Sequence, residues 1–180
     1  MNESPLPLYR RVLGDKFLQV CPSVRALHDI TTRYAATGRC EVERGNSWLA
    51  NRLADLVGLP RAGSDVPITF SITVEEGRER WVRDFSGHRF VSVLWNDCEA
   101  LYERLGPVTL EFRLDARDGG LSMLLVAGRL FGVVPLPRIF LPGVATRESC
   151  VAGVYHFDVA ADWPILGKVI RYRGTLEQAA

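Results

Sequence analysis

The residues able to do chemistry in this sequence are few and scattered. His28, His88 and His156 stand far apart, no serine lies in a Gly-x-Ser-x-Gly turn, and no Walker loop occurs, so a motif-defined enzyme is excluded. Cys21, Cys40, Cys98 and Cys150 show no Cys-x-x-Cys spacing and no accompanying histidine cluster, which argues against zinc or any other metal. They read as free thiols, with the usual role of small buried apolar residues. No Gly-x-Gly-x-x-Gly stretch introduces a dinucleotide-binding unit, and no cofactor is expected.

What remains is the set of polar residues that a strand would turn inward. Side chains two apart share a strand face, and a charge among apolar neighbours has to be paired, hydrated or used. Arg44 shares a face with Cys40 and Val42, and Arg83 shares one with Trp81 and Phe85. One reading has Arg44 capping backbone carbonyls at a strand end and Arg83 lying beneath a glutamate such as Glu103. The other has a guanidinium fork binding an anionic or carbonyl group of a ligand. His88 follows a turn and shares the face of Phe90, Ser92 and Leu94, either as an exposed turn histidine or as an acid or base at a cavity mouth. Arg83, His88 and Glu103 are therefore the catalytic candidates. Arg44, Trp81, Phe90, Phe112, Tyr155 and Tyr172 are the ligand-binding candidates, the two tyrosines as inward hydroxyl donors. His156 and Asp158 alternate with Tyr155, Phe157 and Val159 and should face outward, toward Arg171 and Arg173 on the next strand.

These residues are positioned by elements that the hydrophobic period delimits. Leu8–Leu13, stopped by Gly14, and a segment opened by Pro22 and carrying Val24, Leu27 and His28 predict two short helices. A strand over 39–44 follows. Asn46 or Ser47 then caps a helix bearing Leu49, Leu53, Leu56 and Val57, ended by Gly58 and Pro60. From Val66 the period becomes 2, giving strands over 68–74, 80–85, 89–95, 108–115, 121–127, 154–160 and 169–176. Glu76-Gly77, Ser86-Gly87 and Asp118-Gly119 supply turns. Val133–Pro137 and Pro142-Gly143 predict a long apolar loop, because proline has no ladder donor.

The fold class is α+β: one strongly curved antiparallel sheet, a barrel or half-barrel, with N-terminal helices and one helix after the first strand. Phe70, Leu110, Phe112 and Tyr172 should point to one side of it. At 180 residues the chain suits a single domain spanning 1–180. Its 22 Lys plus Arg against 21 Asp plus Glu offer no field for nucleic acid or a membrane. Met1–Pro5 lacks a secretory pattern and no apolar run spans a bilayer, so a cytoplasmic bacterial protein is expected.

The order of landmarks resembles a bacterial family, the domain of unknown function family 4166, found alone or fused to saccharopine-dehydrogenase-like proteins. The resemblance rests on Leu8–Gly14, Val42–Gly45, Leu56–Pro60, Gly106-Pro107, Gly119–Leu121, Gly132-Val133 with Pro135–Pro137, Phe157–Val159 and Tyr172–Gly174. It implies no catalytic residue. Two function classes follow. One is a small-molecule binder or cofactor-independent cyclase or isomerase of the natural-product biosynthetic type, taking an apolar compound into the sheet. The other is a non-catalytic module docking on an oxidoreductase or other partner, for which the apolar loop 130–141 would serve as patch; in the first class it would serve as lid.

Overall fold

The computed structural model describes residues 6–56 and 58–179. Met1–Pro5 and Val57, and the side chains of Leu53 and Leu56 in the expected third helix, lie outside the described residues.

Two short helices come first, α1 (Leu8–Leu13) and α2 (Pro22–His28), joined by a 3-10 turn over Gly14–Gln19. Pro22 sits in the first turn of α2, where its missing N–H costs nothing. Strand β1 (Arg33–Arg44) leads to α3 (Trp48–Leu56). A meander follows: β2 (Gly63–Glu75), β3 (Arg78–Phe85), β4 (His88–Asp97), β5 (Ala100–Leu105), β6 (Val108–Arg117) and β7 (Gly120–Leu130). A two-residue strand β8 (Val134–Pro135) lies on β7, and β9 (Gly143–Val151), β10 (Val154–Trp163) and β11 (Gly167–Gln178) complete the order.

Each long strand pairs antiparallel with its neighbours, β7 pairs β9, and β1 pairs β11, so ten of the eleven strands form a closed barrel. The expected α+β curved sheet is thus a full barrel. β1 starts at Arg33, six residues before the predicted strand, and β5 and β9 are strands that the period did not mark. The inner face carries Phe70, Leu110, Phe112 and Tyr172 together, all buried. Glu76-Gly77 and Asp118-Gly119 both have positive φ at each residue, as tight hairpin turns between twisted strands require. A bulge in β7 opposite Glu111/Phe112 shifts the inward set from Leu121 and Met123 to Gly128 and Leu130.

The two ends of the barrel differ. At one, α1 and α2 form a plug: Tyr9, Phe17, Val24 and Leu27 are buried in the main core. Arg11 Nη2 donates to the Gly77 carbonyl at 2.7 Å and the Cys21 amide to the Gly119 carbonyl at 2.8 Å, tying the plug to two hairpin turns. At the other end lie α3, which packs Ala50 and Ala54 on Val169 of β11, the Gly106-Pro107 turn, and the proline-rich connection 131–142. This connection is irregular, as expected, apart from β8 and a 3-10 turn over Arg138–Phe140. It is anchored by the Phe131 amide on the Pro107 carbonyl and by the Trp163 indole on the Ile139 carbonyl.

The closing seam between β1 and β11 is built on close backbone approach. Cys40 faces Gly174, and Gly38 faces Leu176. A Cβ on Gly174 would run into the Arg39 carbonyl and the Cys40 backbone, and one on Gly38 into the Thr175 carbonyl. Gly174→Ala should therefore cost about 1–3 kcal/mol, the usual range for overpacking. The measurement is thermal unfolding, and an unchanged melting temperature would show that the seam can widen.

Candidate functional site

The inner faces of the strands do not fill the barrel. A cavity of about 790 Å3 remains between the helical plug and the opposite end, lined almost wholly by apolar side chains such as Phe70, Leu94, Phe112, Val144, Phe157 and Ile170. Its polar lining is confined to a few residues: Arg83 of β3, Glu103 of β5, Thr146 and Glu148 of β9, Tyr155 of β10 and Tyr172 of β11. Glu148 and Tyr155 stand toward the plugged end of their strands, and Glu148 meets His28 of the plug. Arg83 and Glu103 start from the far halves of β3 and β5, but the Arg83 guanidinium lies over Trp81, whose ring stacks on the same His28. These four polar residues make a floor on the plug side of an apolar chamber.

Arg83 is the centre of this floor. Its Nη1 donates to Ser92 Oγ at 3.1 Å, and Nη2 lies 3.5 Å from Glu103 Oε1. The guanidinium stands over three rings, Trp81 at 4.8 Å, Phe90 at 5.3 Å and Phe70 at 5.8 Å, which hold the cation in place by their faces. Glu103 Oε1 is buried and faces Arg83 as an ion, yet it accepts no directed hydrogen bond among the described residues, which leaves it able to take one from the cavity.

A second group lies behind Trp81. His28 Nε2 and Glu148 Oε2 are 2.6 Å apart, and His28 is fully buried from α2. Its ring stacks on Tyr9, 3.8 Å away, and also lies against Trp81, 5.8 Å away, the two neighbours being 6.1 Å from each other. The plug therefore supplies the partner that orients a cavity-lining carboxylate. Burial pushes the Tyr155 and Tyr9 phenols well up, and the Glu148 carboxylate pushes both further. Burial also raises Tyr172 to about 12, with Arg83 working the other way. Beneath Trp81, burial raises Glu79 although the indole N–H donates to its Oε2 at 2.8 Å.

The structure brings Arg83, Glu103, Trp81, Phe90, Phe112, Tyr155 and Tyr172 to one cavity. It does not bring Arg44 or His88 there, which corrects two of the candidates. Arg44 turns to the carbonyls beyond α3: Nε donates to Pro60 O at 2.7 Å, Nη1 to Asp55 Oδ1 at 3.0 Å, and Nη2 to Leu59 O. That is the capping alternative, because a strand-end guanidinium meets unpaired carbonyls before it reaches the interior. His88 is exposed where β4 leaves its turn. Asp158 lies outside the barrel and takes a two-point bond from Arg171, at 2.9 and 2.6 Å, whereas Arg173 pairs with Glu41. Sequence reasoning missed Glu148, Thr146 and the role of His28. The one signal present was that His28 shares the apolar face of Val24 and Leu27. Among the described residues no three His, Cys, Asp or Glu side chains could hold a metal ion.

Comparison with known proteins adds a family and a fold. A family model described as "Domain of unknown function (DUF4166)" matches residues 20–176. No curated protein matches the chain. Among solved structures, a protein of unknown function from the DUF3598 family of Nostoc punctiforme PCC 73102 matches with a TM-score of 0.53 and 11% identity. The match covers 81% of this chain and 47% of that one, so the chain spans about half the length of that relative. At this identity the likeness shows the fold alone.

Two outcomes test the floor. Arg83→Leu leaves Glu103 unpaired among rings and should cost about 3 kcal/mol, while adding Glu103→Leu should recover most of it, because burying one unpaired charge costs more than burying neither. Chemical denaturation of both variants reads the difference, and equal losses in the single and double variants would show that the pair is hydrated. The phenols give a second outcome. Their pKa values are raised on folding, so the stability they contribute is complete below the ordinary value near 10 and falls as pH rises above it, for Tyr172 through the window from 10 to about 12. Tyr172→Phe should shrink that alkaline loss, measured by melting temperature against pH.

Proposed function

The chain belongs to the DUF4166 family, and we propose that its barrel is a container for a small, largely apolar molecule that seats one hydroxyl-bearing end on the polar floor. The observation that carries this reading is the contrast inside one space: an apolar chamber of about 790 Å3 with Arg83, Glu103, Glu148 and Tyr155 grouped on the side of the helical plug. This volume lies within the usual range of small-molecule sites, and such sites fix orientation with a few polar groups on a mainly apolar wall. Water in the chamber finds few partners, so an apolar occupant replaces it at little cost.

The floor also favours one kind of polar end. Glu103 Oε1 pairs with Arg83 at 3.5 Å but accepts no directed hydrogen bond, and Glu148 is a second carboxylate, while Arg83 already donates to Ser92. A ligand carboxylate would meet two like charges and a committed arginine. An alcohol or phenol instead donates to Glu103 and accepts from a tyrosine hydroxyl. Compounds of the polyketide or polycyclic phenol type meet both requirements.

The cyclase or isomerase reading is favoured by one specific feature, the Glu148 carboxylate held by His28 at 2.6 Å. A carboxylate oriented in this way at the bottom of an apolar chamber suits proton abstraction from a bound carbon acid. In that case Glu148→Gln would retain binding and lose turnover.

Thermal shift with three compounds of equal chain length, an alcohol, a carboxylic acid and a hydrocarbon, tests the container. The alcohol should shift the melting temperature most, by roughly 5–10 °C at a hundredfold excess over Kd. Ala161→Trp, which places a ring in the cavity wall, should abolish the shift while the protein remains folded. If no compound raises the melting temperature, or if Ala161→Trp leaves the shift intact, the chamber is not the binding site.

A further inference from the structure

The exposed apolar side chains of this protein are not spread evenly. Trp48 (75% exposed) on α3, Phe131 (71%), Val133 (75%), Ile139 and Phe140 on the 131–142 connection, and Ile165 in the β10–β11 turn all belong to the end of the barrel opposite the helical plug. They surround the end where Phe140, Pro142 and Pro107 line the cavity. Hydrogen bonds anchor the connection that carries most of them, so these side chains project from a fixed frame.

Charge is distributed along the same axis. Arg52, Arg61, Arg89, Arg104, Arg129 and Arg138 are exposed at or beside the loops of the apolar end, and none of them makes an ion pair among the described residues. Most acids at that end are engaged: Asp55 with Arg44, Glu43 with Lys168, and Asp65 with Arg39. Asp84 and Asp162 remain, and Asp84 accepts from the Gly87 amide. At the plugged end exposed Glu75, Glu76, Asp97, Glu99, Asp118 and Glu177 offset Lys16, Arg33, Arg78 and Arg117. The near-even charge balance of the sequence argued against a membrane partner; the placement of the charges argues for one.

We propose that the open end of the barrel docks on an anionic lipid bilayer, with Trp48, Phe131, Val133, Ile139, Phe140 and Ile165 entering the headgroup layer and the surrounding arginines meeting lipid phosphates. Apolar side chains ringed by arginine are what an interfacial site combines, since burial of the former and attraction of the latter add. A tryptophan suits the headgroup level, where one part of its ring is wet and the other apolar. Among the described residues no helix is long and apolar enough to cross a membrane, and the outer wall of the barrel carries ion pairs such as Arg171–Asp158 and Arg173–Glu41, so the proposed contact is by one end and not by the wall. Docking would place the chamber's entrance at the lipid surface, where an apolar ligand is most concentrated. The docking surface stands on exposure and charge alone; only this last consequence rests on the container reading.

Vesicle flotation tests it, using phosphatidylcholine vesicles with and without phosphatidylglycerol, at low and high salt. The protein should float with the anionic vesicles at low salt, and brominated lipid should quench Trp48 fluorescence, a signal lost in Trp48→Phe. The triple variant Phe131→Ser/Val133→Ser/Phe140→Ser should weaken binding about tenfold or more, as should Arg61→Glu/Arg138→Glu. All five positions are exposed, and melting temperature checks that the variants fold. The cavity-blocked Ala161→Trp should bind vesicles normally, which separates failure of the container from failure of docking. The proposal is overturned if no flotation occurs, or if the triple serine variant floats as well as the wild type, which would mean adhesion by arginine alone. It is equally overturned if sedimentation shows the apolar end buried in a protein dimer that does not bind vesicles.

Discussion

A ten-stranded ring whose neighbours otherwise follow chain order has to close where β1 meets β11, the first strand on the last, before its edges are gone. Most of the molecule's other features follow from that requirement. Eight strands enclose an interior that side chains can just fill, and the width grows with strand number. Ten strands therefore leave space even when Phe70, Phe112, Phe157 and Tyr172 all point inward. One end of that space is stopped by α1 and α2, whose buried face has no other surface to cover. The opposite end carries long connections and is left with its apolar side chains outside.

Plug and floor are one structure as much as two. His28 reaches from α2 to Glu148 across 120 residues of sequence, and Tyr9 of α1 lies against the same imidazole. Ring stacking through Trp81 then links this pair to the guanidinium of Arg83. Polar groups in a low-dielectric interior are expensive when unpaired, and here most of the expense is met by side chains from the helices and by ring faces. Among the described residues Arg11 Nε, His28 Nδ1, Glu79 Oε1 and Glu103 Oε1 are the exceptions, and of these four residues only Glu103 lines the cavity, where an occupant could answer it.

The strands most plainly legible in the sequence were those whose inward positions are apolar throughout. Val108, Leu110, Phe112 and Leu114 announce β6, and Ile68, Phe70, Ile72 and Val74 announce β2. β5 and β9 were missed for a physical reason that bears on function. β5 is short and turns Glu103 inward, and β9 turns Thr146 and Glu148 inward, so neither shows the alternation by which a half-buried strand is recognised. The strands that carry the carboxylates of the floor look like loops in sequence because they carry them. Arg83 was legible since a charge interrupted an otherwise apolar face, and Glu103 only as the carboxylate such a charge would need. Arg44 gave the same signal and sits elsewhere, because sequence shows on which face a residue lies but not how near the strand end meets a row of free carbonyls. His28 and Glu148 could be joined only by the fold.

The seam between β1 and β11 joins the first strand of the chain to the last. A ribosome releases β1 long before β11, and during that interval β1 has β2 on one side and an open edge on the other. Non-local pairing of this span is slow to form, since a loop of nearly the whole chain must close before it is rewarded. Gly38, Cys40 and Val42, which in the finished barrel press against β11, are meanwhile available to any other strand edge. The same closure that gives the mature protein no unpaired edge in its ring thus makes the growing chain dependent on delay: on keeping β1 unmatched, by its outward Arg39, Glu41 and Glu43 among other means, until its own C-terminal strand arrives.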